Sequence, residues 1–245
     1  MKIKKSDSYK GFTAAISIIS IWLASLIFFI TRDFQSIPWY LVILMIVWQT
    51  FLFTGLFITA HDGMHGIIAP TQKKLNHLLG RLAVFLYALF SYQTLKTKHW
   101  DHHRYPASAN DPDFHDGQHR GSLRWYLNFM ANYITWKQIL GMAIVFNILD
   151  HLAGLQSISL LLFWVLPAFL STFQLFYFGT YLPHHEAEDS WPDRHHSRSN
   201  DYPVWLSFLT CYHFGYHWEH HAFPYVPWWR LPSKRREVGA REQTG

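Results

Sequence analysis

Long uncharged apolar runs alternate along this chain with short blocks that hold almost all of its charge. Gly11 to Ile30 has no charged residue over twenty positions, and Pro38 to Ala60 has none over twenty-three. As a helix, rising about 1.5 Å per residue, either run covers the ~30 Å hydrocarbon core of a bilayer, so both are predicted to span it. Leu82 to Leu95 is also apolar, but its fourteen residues reach only ~21 Å as a helix, which predicts a re-entrant or interfacial segment. From Leu123 to Leu140 aromatics mix with Arg124 and Lys137, the pattern of an interfacial helix with Trp125, Tyr126, Tyr133 and Trp136 at headgroup level. Gly141 to Leu155, interrupted by Asn147, Asp150 and His151, is predicted as a third span, and Ile158 to Leu182, with Pro167 inside it, as a fourth. The predicted fold is all-α. It is a polytopic membrane protein of about four transmembrane helices in one domain over residues 1–245, with a loosely ordered basic tail from about 234 that touches anionic lipid.

The polar blocks set the orientation. Lys2, Lys4, Lys5 and Lys10 stand before the first run like a signal-peptide start, but the run is too long and lacks a small-residue cleavage site. An uncleaved anchor with a cytoplasmic N-terminus follows. With that start, only Arg32 of the 21 Lys and Arg residues falls on an external loop, as the positive-inside rule requires. Both termini and every histidine-rich block are then cytoplasmic. Hydrophobic residues make up 50% of the chain and charged ones 15%, against about a quarter in soluble domains. The net charge of +5 is therefore topological, with no nucleic acid implied. Cys211 is the only cysteine, which excludes an intrachain disulfide and a thiolate-built zinc or iron–sulfur site.

Histidine takes the place of cysteine. There are seventeen, mostly in clusters: HDGMH at His61 and His65, HWDHH at His99, His102 and His103, and HWEHH at His217, His220 and His221. Residues three and four apart share a helix face, so the imidazoles of each box converge. One tetrahedral zinc takes about four ligands, so eight or more nitrogen donors imply two metals, and a dinuclear site at a membrane face fits iron that activates O2. The fold is thus completed by a cytoplasmic histidine-rich helical cap holding a di-metal site. Asp62, Asp101 and Glu219, lying between the ligands, are candidates to accept hydrogen bonds from the second ring nitrogens. His213, four before His217, is expected to support the third box, and His115 and His195 to lie in the layer around the ligands. His77, His119 and His151 stand alone and are read as ordinary core or surface histidines.

The motifs HDGMH, HWDHHRYPASANDPDFH, FGTYLPHHE, WPDRHHSRS and TCYHFGYHWEHHAFPYVPWWRLPS, in that order from about residue 55 to 234, resemble the bacterial and cyanobacterial β-carotene ketolases. These belong to the membrane fatty-acid hydroxylase-like di-iron proteins. The resemblance implies a ninth ligand from a helix end between the second and third boxes, where His184 and the neighbouring His185 are the candidates and His184 is the matching position. His185 stands where arginine is more usual, and His196 where asparagine is. The implied reaction is O2-dependent oxygenation of a β-ionone ring at C4 and C4′, by two hydroxylations and a dehydration to the ketone. It uses two iron ions and electrons from an external ferredoxin-type donor or reductase, since no flavin, haem or dinucleotide motif is present. The partners are then β-carotene and the bilayer. A carotenoid 3-hydroxylase, an acyl desaturase or hydroxylase, or an alkane hydroxylase is the alternative. A metal transporter would need ionisable residues along its spans, and the first two have none.

Overall fold

The computed structural model describes residues 5–185, 191 and 193–242, so that Lys2, Lys4 and Glu186 lie outside the described residues. Among these, all regular structure is helical. Helix α1 (Lys5–Ile30) leads through a 3-10 turn (Phe34–Ser36), capped by Asp33, into α2 (Trp39–His65). The two are antiparallel: Trp22 meets Phe53 edge-on at mid-length, while Gly11 lies against the Ile68 carbonyl just past the end of α2. Then follow α3 (Lys73–Ala88), α4 (Tyr92–Arg104), α5 (Ser122–Tyr133) and α6 (Trp136–Asn147), the last continued by a π-helical turn, Ile148–Leu152. Helix α7 (Ser157–His184) is followed by the shorter α8 (Val204–Cys211), α9 (His217–Ala222) and α10 (Leu231–Glu242).

Among the described residues, three helices are long and apolar enough to cross a membrane, α1 from Asp7, α2 and α7. The pair α3 and α4, bent by 103°, counts as a fourth only if it is one broken span. The predicted span over Gly141 to Leu155 is not among these candidates. It is the later part of a helix that starts at Trp136, because Thr135 caps that helix by accepting from the Gln138 amide at 3.3 Å. The predicted interfacial helix is likewise cut in two at Ile134. Its Trp125 does not face outward. The ring is buried against Phe114, Phe176 and Tyr181, and its indole N–H donates to the Asp113 carbonyl at 2.8 Å.

Helix α2 is the hub, packed on α1, α3 and α7. Several polar side chains in the interior are paired within the protein, as lipid surroundings favour. Ser25 donates to Gln49 at 2.8 Å, Thr54 lies 3.0 Å from the Ser171 hydroxyl and donates to Gln174 at 2.8 Å, and Tyr87 donates to Ser171 at 3.0 Å. Outward faces carry Ile27, Leu44, Phe85, Ile144 and Phe169, an exposed apolar belt of the kind that lipid covers.

Two features aim chain ends at one place. In α7, π-helical turns at Leu161–Val165 and Tyr177–Tyr181 close with bonds from Leu166 to Leu161 and from Leu182 to Tyr177. Each ends one residue short of a proline, Pro167 or Pro183, whose missing N–H removes the ordinary helical bond and leaves the widened turn as the local solution. The second such turn sets the direction of His184. The other feature is the α3–α4 bend. Leu89 takes a left-handed conformation (φ 56°) that closes α3, and Ser91 restarts the helix by accepting from Thr94. The bend turns α4 across the last turn of α2.

Candidate metal centre

Nine imidazoles from four helices converge at the end of the bundle where α2 and α7 both terminate. His61 and His65 occupy the last turns of α2, which stops at Gly66 in a left-handed conformation (φ 77°) that favours glycine. Asn76 of α3 holds this end, donating to the Gly63 carbonyl at 2.8 Å and accepting from the Ile68 amide at 3.0 Å. His99, His102 and His103 share one face of α4, His184 ends α7, and His217, His220 and His221 lie on α9. The chain enters α9 through Tyr212 and His213, both left-handed (φ 49° and 64°).

The imidazoles sort into two groups. Donor atoms of His61, His65, His99 and His220 lie within 4.8 Å of one another, and so do those of His102, His184, His217 and His221. His103 joins the first group, its Nε2 3.1 Å from that of His99 and 2.9 Å from that of His220. In the second group the Nε2 atoms of His184 and His217 are 3.0 Å apart, as are those of His221 and His102, and of His221 and His217.

The tautomers say what these facing nitrogens need. His102 Nδ1–H donates to Asp111 at 2.9 Å, and His184 Nδ1–H donates to the His196 carbonyl at 2.7 Å. A neutral ring so engaged has a bare lone pair at Nε2. Such lone pairs, directed into the buried space between the rings, fit a bound cation. Burial, and next the neighbouring imidazoles, hold His217, His220 and His221 well below the usual histidine pKa, in the neutral form that ligates metal.

The family model for fatty acid desaturases matches residues 37–140 and 130–243. The chain belongs to the fatty acid desaturase family. It is 42% identical over 230 residues to a β-carotene ketolase from Paracoccus sp., covering 94% of this chain and 93% of that protein. A β-carotene ketolase from another Paracoccus strain is 44% identical over 187 residues, 76% of each chain. The zeaxanthin 4-ketolase of Chlamydomonas reinhardtii is 41% identical over 246 residues, 92% of this chain and 53% of that protein, so the chain spans about half the length of this algal relative. Within the family the chain groups with the β-carotene ketolases.

The layer around the histidines differs in part from expectation. Asp62 is buried with its Oδ1 3.5 Å from His61 Nδ1 and accepts from the Trp228 amide at 3.3 Å, tying FPYVPWW to α2. Asp101 does not reach an imidazole. One position before His102 on a helix, it points off the histidine face and pairs with Arg104 at 3.4 Å. Glu219 is buried but faces Arg235, at 3.0 Å, and the Ser199 hydroxyl, so it fastens α9 to α10. His213 belongs to neither group and packs on Tyr216 and Trp228, with its Nδ1 3.3 Å from the Ser207 hydroxyl. His115 accepts from the Gly117 amide within its own loop, and the His195 ring lies 6.3 Å from that of His221. His185 is exposed beside Tyr181, leaving His184 as the one of the pair that joins the cluster. His196 sits at a left-handed φ of 43°, a conformation that asparagine adopts readily.

Two aspartates matter that sequence reasoning passed over. Both Asp111 oxygens lie 2.9 Å from His102 Nδ1, and Asp113 Oδ2 lies 3.8 Å from it. The signal lies in DPDFH, where both aspartates stand just before His115. Phe214 completes the site, its ring 4.7 Å from that of His61 and 5.2 Å from that of His217. Gly179 makes room for it: a Cβ there would lie 2.3 Å from Phe214 Cδ1. Gly179→Ala is expected to cost about 1–3 kcal/mol by overpacking, read as a lower thermal unfolding temperature in detergent.

Proposed function

We propose that the nine histidines hold two iron ions and that the protein is a β-carotene ketolase. His61, His65, His99, His103 and His220 hold one ion, and His102, His184, His217 and His221 the other. The observation that carries this reading is that the two groups close the end of a small apolar cavity of about 70 Å³, where His61, His99, His102 and His217 meet Phe57, Phe129 and Leu175. A carotenoid ring has no charge or headgroup, and this wall offers it hydrocarbon contact beside the metals. The names of the relatives, β-carotene ketolases and a zeaxanthin 4-ketolase, point to the same substrate class.

Iron bound there supplies the redox chemistry that O2 activation requires, which zinc lacks. Around it the protein fixes the imidazoles, packs the ring and excludes water. Each hydroxylation inserts one oxygen atom of O2 into a C4–H bond. The other atom leaves as water, at the expense of two electrons and two protons. A second round at the same carbon gives a geminal diol, which loses water to the ketone, and repetition at C4′ takes echinenone to canthaxanthin. The electrons come from an external ferredoxin-type donor or reductase. The site and both termini lie on the cytoplasmic side. Asp7 of α1 pairs with Arg230 at 2.7 Å, which supports one common side for the two chain ends and the histidines.

Expression in cells that accumulate β-carotene tests the reading. Echinenone and canthaxanthin are the expected products. Formation of 3-hydroxy carotenoids, or of modified acyl chains without any 4-ketone, would transfer the protein to another oxygenase of the superfamily.

A further inference from the structure

The cavity against the histidines adjoins a second one. An outer chamber of about 410 Å³ shares Tyr87, Phe90, Met130 and Thr172 with the inner chamber, so these four residues stand at the neck where the two meet. One wall of the outer chamber comes from α6, with Met142, Ala143 and Phe146, and the other from α7, with Trp164, Ala168 and Phe169. Ile139, Leu161 and Phe169 line it and are also exposed on the outer apolar belt. The chamber therefore opens sideways, through the lipid-covered face.

Its lining also restricts the occupant. Among the described residues, no acidic, basic or imidazole side chain takes part. The hydroxyls and the carboxamide nitrogens of the lining already donate to the protein. Tyr87 donates to Ser171 at 3.0 Å, Gln138 to the Ala88 carbonyl at 2.6 Å, Asn147 to the Ala143 carbonyl at 2.8 Å, and Thr172 to the Phe169 carbonyl at 2.8 Å. A charged phosphate headgroup finds no cationic partner among these lining residues, whereas a headgroup-free hydrocarbon needs none.

We propose that the substrate enters laterally from the bilayer between α6 and α7, and that the outer chamber holds its long apolar chain while one ring passes the neck to the metals. The lining selects uncharged, headgroup-free hydrocarbons. This inference rests on the ketolase reading for the identity of the ring.

The test uses the full-length protein in membranes with β-carotene. Ala143, at the exposed mouth, is changed to Leu and to Trp, and Ala168 to Leu. Leu44→Trp, on the exposed face of α2 and outside both chambers, serves as control. Rates of ketone formation, iron content and quenching of protein fluorescence by the polyene are measured. The expected result is a rise in KM graded with side-chain bulk, about tenfold or more for Ala143→Trp, with parallel weakening of polyene quenching. Iron content and the control stay unchanged. Values of kcat/KM within twofold of wild type in all three chamber variants would overturn the lateral route, as would a loss that merely follows loss of iron. A wild-type protein that binds the polyene through Ala143 and Ala168 but makes no 4-ketone would instead overturn the ketolase reading and leave the portal standing.

Discussion

Iron content should fall from about two per chain to about one or fewer in His220→Ala, and ketone formation should drop by at least ~100-fold. His220 is the central donor of its group, with its Nε2 3.1 Å from that of His61 and 2.9 Å from that of His103. It is also buried, so alanine leaves a space in the first donor group while the second, on His102, His184, His217 and His221, remains whole. The comparison variant is His213→Asn. It lies on the same short segment and is also buried, but it belongs to neither group, and asparagine accepts the left-handed backbone found there. Full iron content in His213→Asn beside depleted iron in His220→Ala would separate ligation from packing. Unchanged iron in His220→Ala would remove that residue from the donor set.

The three boxes were legible because metal binding needs several donors on one face, and helical spacing of three and four writes that requirement directly into the sequence. The donors from distant segments were harder. His184 reaches the cluster only because the chain before Pro183 widens into a π-helical turn, a tertiary consequence of one missing N–H. Aspartates such as Asp111, nine positions beyond His102, share no helical period with it, and only the folded loop brings them together.

Helix limits show the same divide. The first two spans were legible because each is one uncharged run matched to bilayer thickness. Helix α3 was not, since Lys73, Lys74, His77 and Arg81 dominate its sequence. Its buried stripe of Asn76, Leu79, Gly80, Ala83, Val84 and Tyr87 keeps helical spacing but includes few large apolar residues. Trp125 misled for a related reason: an aromatic beside an arginine fits a membrane interface as well as it fits a buried support. The indole bond to Asp113 shows which requirement won, since that contact fixes the loop over the histidines.

That loop carries the second large effect. Asp111→Ala is expected to weaken iron binding or ketone formation by about 10–100-fold, with Asp111→Asn intermediate. The carboxylate does three things at once: it faces His102 Nδ1, accepts from the Ala107 amide at 2.9 Å and accepts from the Asp113 amide at 2.9 Å. Burial works against its ionisation, but His102 beside it holds the Asp111 carboxyl below the usual carboxylate range. The charge therefore persists at neutral pH, and against burial Asp111, and next Asp113, push His102 up to about 9; a metal ion at Nε2 would take the place of the second proton while Asp111 keeps the first on Nδ1. Asparagine can still accept the same hydrogen bond without the charge, so it separates orientation from electrostatics. Asp113 sits 3.8 Å from His102, and burial, reinforced by Asp111, pushes its carboxyl up to about 6. Asp113→Asn should accordingly change iron affinity less than Asp111→Asn does. Titration of the reconstituted variants with a coloured iron chelator reads that order, and a larger loss at Asp113 would reassign the supporting role to it.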